Sequence, residues 1–139
     1  MMRWLLVVAV ASGCGEPPGQ STSIPDDLDA AEPLATWEEE RTLFLPTSTL
    51  IEAQVTMEPG DAFDMDFTSM GGPVAWNIHS HDSDFPTNHA QGRGEHGTFT
   101  FVAPAAGRFL PLWVNDQAAT LRVVVRLRGH GSSVFNGWL

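Results

Sequence analysis

Apolar and polar residues alternate along short segments of this chain, and this pattern limits what it can fold into. Apolar residues occupy every second position in Ala62–Ser69 and again in Leu121–Leu127. Because successive side chains of a strand point to opposite faces, such alternation is typical of a strand with one buried and one solvated face. The seven predicted strands begin at Thr42, Leu50, Ala62, Val74, Thr98, Arg108 and Leu121. With turn residues between them and no long amphipathic helix, they predict an all-β fold, a small antiparallel β-sandwich of about seven strands.

Three local patterns add to this outline. Thr36 and Glu39 have the spacing of a helix capping box, which predicts a short helix before the first strand. Pro111 falls inside a predicted strand and cannot donate a ladder hydrogen bond, so we expect it at a sheet edge or a bulge. Trp76 and Trp113 are expected in the core, whereas Trp37 and Trp138 lie outside the regular pattern.

The composition excludes several classes of protein. A chain of 139 residues has room for one domain of ordinary size. It carries 17 Asp and Glu against 7 basic residues, all Arg, and this acidic excess argues against nucleic-acid binding. The single Cys excludes an intrachain disulfide framework and any site built from several thiolates.

The start of the chain predicts export and lipid attachment. Residues 1–13 combine a basic start, a short apolar run and small residues, as in a secretory signal peptide. Cys14 follows Ala11-Ser12-Gly13, which resembles the bacterial lipobox, although Ala11 stands where the family usually has a larger aliphatic residue. The resemblance implies that Cys14 is acylated and anchors the protein in a lipid bilayer. An ordinary signal peptide with an incidental cysteine is the alternative.

Residues 14–35 follow as a linker rich in Pro, Gly, Ser and acidic residues, which predicts a flexible spacer. Gly15 after the cysteine implies, by resemblance to the usual sorting rule, the outer membrane of a bacterial envelope. The expected domain occupies residues 36–129, and 130–139 form an apolar tail that either packs back on the sandwich or docks a partner.

The second half of the domain resembles a known family. Phe101–Phe109, Leu112–Asn115 and the alternating strand that follows are similar to the C-terminal half of GOLD (Golgi-dynamics) domains. Gly71–His81 is similar to the middle strand of bacterial relatives of that fold. The resemblance covers roughly residues 42–129 and implies a β-sandwich that binds proteins, with no catalytic residues to carry over.

The histidines are the strongest candidates for a functional site, which would be a metal site. His79, His81, His89 and His96 lie within 18 residues, and the first two are spaced to share one face of a strand. Two imidazoles so placed can converge on Zn²⁺ or Cu²⁺, with a third ligand from His89 or His96 on a loop. The alternative is that these histidines are solvated residues of an outer face and a polar loop.

Carboxylates supply a more distant candidate. Asp64 and Asp66 share a strand face and could in principle form a hydrolase pair. Such residues are more often solvated or paired, and the Arg residues of the last predicted strand are suitable partners if the two strands are neighbours. No motif for a nucleophilic serine occurs.

The sequence therefore predicts a membrane-anchored extracytoplasmic lipoprotein that is not an enzyme and needs no cofactor. Its β-sandwich would serve as a binding or structural module, with a protein as the expected partner and no nucleic acid. A lipoprotein that binds zinc or copper through the histidines is the alternative, and a hydrolase is a distant third.

Overall fold

The computed structural model describes residues 34–139, which form nine β-strands. These are β1 (Trp37–Leu45), β2 (Leu50–Met57), β3 (Ala62–Met70), β4 (Val74–Ser80), β5 (Thr87–Gly94), β6 (His96–Val102), β7 (Gly107–Val114), β8 (Leu121–His130) and β9 (Val134–Trp138). They build a four-stranded sheet of order β1-β8-β3-β6 and a five-stranded sheet of order β5-β4-β7-β2-β9. Every pairing is antiparallel, which confirms the predicted all-β class.

The core lies between the two sheets and is built from the apolar half of each alternating pattern. In β3 the inward residues Phe63, Met65 and Phe67 are buried, and the inward residues of β8 are buried as well. The largest fully buried side chain is Trp113 of β7, as expected from the sequence. Each large apolar side chain removed from water contributes about 1.5–3 kcal/mol, so this interior is the main source of stability.

Successive strands lie in different sheets, except for the β4–β5 hairpin. The connections β1–β2, β3–β4, β5–β6 and β7–β8 therefore meet at one end of the sandwich. We call this the distal end, because the chain enters β1 at the opposite one. Thr36, just before β1, donates its backbone N–H to the carbonyl of Gly129 there, at 2.8 Å.

The predicted helix at Thr36–Glu39 is wrong, because that segment leads into β1. Trp37 pairs with Gly129 of β8, and its indole ring lies against the glycine. A Cβ at position 129 would collide with that ring, so the glycine makes the close approach possible. Pairing along the whole of β1 and burial of an indole outweigh a four-residue capping signal.

The expectation of an edge position for Pro111 is also wrong. Strand β7 is central in its sheet, and Pro111 pairs with Ile78 of β4. On the other side the ladder to β2 is interrupted between the pairs Glu52–Leu112 and Val55–Phe109. A proline is tolerated inside the sheet because its missing N–H coincides with that gap.

Strands β5 and β9 were not among the seven predicted strands. The loop expected after β4 contains β5, which pairs with β4 along one edge of the five-stranded sheet. The predicted tail packs back on the sandwich as β9 and pairs with β2 at the other edge. Trp138 of β9 packs against Trp113 with ring centroids 5.9 Å apart, so the tail extends the core.

The predicted signal peptide (1–13), Cys14 and nearly all of the linker lie outside the described residues. Within residues 34–139, no helix has the length and apolar character needed to cross a membrane.

Candidate functional site

His79 and His81 meet on the outer face of the five-stranded sheet, and we call them the histidine pair. His79 points outward from β4, and His81 follows the end of that strand. Their Nε2 atoms are 3.2 Å apart, and the rings meet edge to face with centroids 4.9 Å apart. The spacing of two residues on an extended segment thus brings both imidazoles to one point.

Two polar side chains fix the position of His79. Its Nδ1 lies 2.9 Å from Oδ1 of Asn77 on the same strand. Its Nε2 lies 3.6 Å from Oε2 of Glu52, which projects from β2 on the same outer face. The side chains of His79 and Glu52 keep only 12% and 23% of their surface exposed. Burial lowers the pKa of His79, and the neighbouring His81 and His89 lower it further, although Glu52 acts in the opposite direction. The surroundings of His79 thus favour the neutral form of its imidazole.

His89 and His96 do not join the histidine pair. A register shift between Ile78 and His79 in the β4–β5 ladder turns His89 to the inner face of the sheet. There its Nε2 lies 2.8 Å from the hydroxyl of Ser80, and its ring packs against core aromatics. His96 begins β6 in the other sheet. Among residues 34–139, no group of three His, Cys, Asp or Glu side chains is already arranged around a metal position.

A small cleft of about 120 Å³ adjoins the histidine pair. Its lining residues are Gln54, His81, Asp82, Arg108 and Leu110. Pockets for drug-sized molecules measure about 300–1,000 Å³. A cleft of this size fits an ion with its waters or a single side chain of a partner.

The carboxylates of β3 are occupied by partners within the domain. Strand β8 lies beside β3, and Arg128 Nη2 lies 3.2 Å from Oδ2 of Asp66. Asp64 accepts a hydrogen bond of 2.7 Å from Thr100 and lies 2.7 Å from Nε2 of His130. Burial alone would raise the pKa of Asp64, but these two hydrogen bonds, together with the charges of His130 and Arg128, outweigh it and hold the pKa below its ordinary value. Both carboxylates thus belong to networks of paired side chains within the domain.

The remaining Arg of this face has different surroundings. Arg122 of β8 lies between Phe44 of β1 and Met70 of β3 in one cross-strand row, which we call the distal row because it lies at the distal end. Phe44 is 65% exposed and Met70 is 43% exposed. Within the described residues 34–139, Arg122 makes no ion pair, whereas Arg126 Nη2 lies 2.7 Å from Glu38 on the same face.

A buried amide holds the distal end together. Asn115 is fully buried, and its Nδ2 donates to the carbonyl oxygens of Leu45 and Ala119, each at 2.8 Å. Its Oδ1 accepts from the backbone N–H of Gln117, also at 2.8 Å. These bonds tie the end of β1 to the β7–β8 connection, and so fix the backbone that carries Phe44.

Sequence reasoning missed the distal row and Glu52. A signal for the row was present, because Phe44 occupies an outward position between the buried Leu43 and Leu45. The companions of Phe44 and the approach of Glu52 to His79 depend on pairings between strands that are far apart in the sequence.

No family model matches this chain, and no curated protein sequence matches it. Among solved structures it is similar to Aeromonas hydrophila PliG, a periplasmic inhibitor of g-type lysozyme, with a TM-score of 0.53 and 10% identity over 70% of this chain and 88% of PliG. A cowpea mosaic virus empty particle matches with a TM-score of 0.35 and 8% identity, covering 77% of this chain and 80% of the viral one. The likeness to PliG concerns the fold, and the resemblance to GOLD domains stays a prediction.

Proposed function

We propose that this chain is a non-catalytic, extracytoplasmic module that binds another protein through its distal end. The distal row carries this proposal. Phe44 and Met70 leave a hydrophobic surface in water on both sides of an arginine that has no ionic partner in residues 34–139. Aromatic residues, Met and Arg are enriched at protein interfaces and supply most of their binding energy.

The chemistry of the row indicates what the partner presents. A guanidinium group pairs best with a carboxylate, which it holds by two parallel hydrogen bonds. Apolar side chains around that carboxylate would cover Phe44 and Met70 and exclude water from the ion pair. We infer a partner surface with an Asp or Glu, or a chain-terminal carboxylate, set among apolar groups.

The similarity to PliG supports a role of this kind. PliG has the same type of fold and acts as a periplasmic protein inhibitor. A β-sandwich that inhibits an enzyme by binding to it needs no catalytic residues of its own, and the Asp64 and Asp66 carboxylates of this chain are already paired. A g-type lysozyme is therefore the first defined probe for a partner.

Attachment through Cys14 would suit the same role. The signal-like residues 1–13, the lone cysteine and the linker 14–35 are the features that support a lipid anchor, and they favour the outer membrane as its place. The linker joins the domain where β1 begins, at the end opposite the distal row.

The binding proposal is tested by photocrosslinking in the cell envelope. A photoreactive amino acid at position 44 should give a discrete adduct that disappears with Arg122→Glu. The same probe at Thr100, on the same outer face but at the far edge strand β6, serves as the matched control. Adducts that form equally at both positions, or at neither, would overturn the distal row as the binding surface.

The lysozyme probe is tested with purified proteins. Titration of a g-type lysozyme with the chain should give saturable binding that Arg122→Ala weakens and Arg126→Ala leaves unchanged. Absence of binding would reject g-type lysozyme as the partner, while the crosslinking result decides on the surface itself.

The anchor is tested separately by metabolic labelling with a fatty-acid analogue and by membrane fractionation. Label and membrane association should both be lost in Cys14→Ser. Label that persists in this variant, or a wild-type chain that is released in soluble form, would reject acylation at Cys14.

A further inference from the structure

The histidine pair has a spacing that a bound cation would explain. Transition metals bind imidazole nitrogen at about 2.0–2.1 Å. The two Nε2 atoms are 3.2 Å apart, so a metal at that distance from both would have an Nε2–metal–Nε2 angle of about 100°. This angle lies between the square-planar and the tetrahedral values, so the two nitrogens are already spaced as neighbouring ligands of one ion.

The hydrogen bond to Asn77 prepares His79 for this role. The amide oxygen of Asn77 is an acceptor, so the proton of a neutral His79 is on Nδ1 and its Nε2 presents a lone pair. Histidine ligands usually donate their second N–H to an oxygen in this way, which fixes both the tautomer and the orientation of the ring. The unprotonated Nε2 of His79 is the nitrogen that lies 3.2 Å from Nε2 of His81.

Glu52 is placed to supply a third donor. Its Oε2 is 3.6 Å from His79 Nε2, close to the separation of about 3.3 Å between adjacent ligands of a tetrahedral ion. Within residues 34–139 the three donors are not gathered around one point, so metal binding requires the Glu52 side chain to move toward the histidine pair. Leu110 is the cross-strand neighbour of His79 on β7 and is buried, and the adjoining cleft leaves room for a water ligand.

We propose that His79, His81 and Glu52 bind one divalent transition-metal ion on the outer face of the five-stranded sheet, with water in the open position. Two imidazoles and a carboxylate suit Zn²⁺ and Cu²⁺ better than Mg²⁺ or Ca²⁺, which prefer all-oxygen sites. Asn77 acts as a positioning residue. The site does not depend on the distal row or on the nature of any protein partner.

The test is calorimetric titration of the full chain with ZnCl₂ in aqueous buffer. All samples carry Cys14→Ser, because a free thiol would itself bind zinc. We expect one Zn²⁺ per chain, with binding lost in His81→Ala, whose side chain is exposed and whose removal leaves the fold intact. Asn77→Ala should retain the stoichiometry but weaken the affinity by about 10- to 100-fold.

Matched variants separate this site from nonspecific binding. His96→Ala removes an exposed histidine of the other sheet, and Glu58→Gln removes an exposed acidic group of the β2–β3 turn, so both should bind like the parent. Glu52→Gln should weaken zinc binding and change the absorption spectrum of the Co²⁺-substituted protein. Absence of stoichiometric binding, binding that survives His81→Ala, or equal losses in His96→Ala would overturn the proposal.

Discussion

Two parts of strand β8 present the same residue type to the same face of the sandwich, in different surroundings. Arg126 and Arg128 lie beside carboxylates of β1 and β3, and each forms an ion pair. Four positions before Arg126, Arg122 lies between Phe44 and Met70 and pairs with no residue among 34–139. On one face, β8 therefore carries two arginines that are paired within the domain and one arginine that has no ionic partner in residues 34–139.

This difference separates residues that complete the surface of the domain from residues that are available to a partner. The paired arginines face Glu and Asp across the ladder, and a further ligand would have to displace those groups. Arg122 has hydrophobic neighbours that only a binding partner would cover. If this distinction is correct, the distal row contributes little to stability and much to binding.

The largest predicted effect is on the free energy of unfolding, and it compares a phenylalanine of the core with the phenylalanine of the distal row. Phe63→Ala removes a fully buried ring that packs on Phe101, and should cost about 3–5 kcal/mol in the free energy of unfolding. Phe44→Ala, at a 65% exposed position, should change it by less than about 0.5 kcal/mol. Urea unfolding measures both. A large loss in Phe44→Ala would show that the row is structural.

The second prediction tests whether the buried amide of Asn115 holds the backbone of the distal row in place. Asn115→Ala removes the buried amide that binds Leu45 and Ala119 and leaves both carbonyl oxygens without this donor, so we expect a loss of about 2–3 kcal/mol. Crosslinking from position 44 should weaken as well. Asn136→Ala, which removes an exposed acceptor of the Thr56 hydroxyl, is the matched control and should do neither. Wild-type stability in Asn115→Ala would contradict its role at the distal end.

The third prediction, a smaller effect, compares the contributions of Arg128 and Arg122 to the free energy of unfolding. Arg128→Ala should cost about 0.5–1 kcal/mol, because it removes a partly exposed ion pair with Asp66, and salt should reduce the difference. Arg122→Ala should leave the unfolding free energy within about 0.5 kcal/mol of wild type. Denaturation at low and high ionic strength distinguishes the two. Equal losses would remove the distinction between the paired and unpaired parts of β8.

The smallest effect is confined to acidic pH. The pKa of Asp64 is lower in the folded chain than in the unfolded one, so its ionisation stabilises the fold above the unfolded pKa, and this contribution is lost as pH falls through the folded pKa. Asp64→Asn should therefore flatten the decline in stability below about pH 4. Thermal unfolding from pH 7 to pH 3 measures the slope. Asp84→Asn, on the exposed β4–β5 loop, should retain the wild-type slope.

The alternation of side chains predicted the fold class because it records burial directly. All seven predicted segments are strands, and Leu50–Met57 has the predicted bounds. Strand β5 was not predicted because its sequence is polar and contains two glycines. It forms an edge strand through its pairing with β4. The helix signal at Thr36 failed because the partner of Trp37 lies more than ninety residues away.

Only those residues of the candidate site that lie close together in the sequence could be predicted. The spacing of His79 and His81 implied a shared face, and Asn77 belongs to the same alternation. The register shift that turns His89 inward has no recognisable signature in the sequence, and the place of His96 follows from the strand order. Glu52 and the distal row depend on which strands become neighbours, which local patterns do not encode.

The pairing of β1 with β8 also governs how the chain reaches this structure. The first strand cannot complete its ladder until the eighth has formed, and β3 needs the same neighbour. Domains dominated by such distant pairings fold in about milliseconds to seconds, because a long loop must close before any contact compensates for its lost entropy. Without Leu121–His130, β1 and one edge of β3 would present unpaired backbone N–H and C=O groups. The four-stranded sheet can therefore be completed only after β8 has been synthesised.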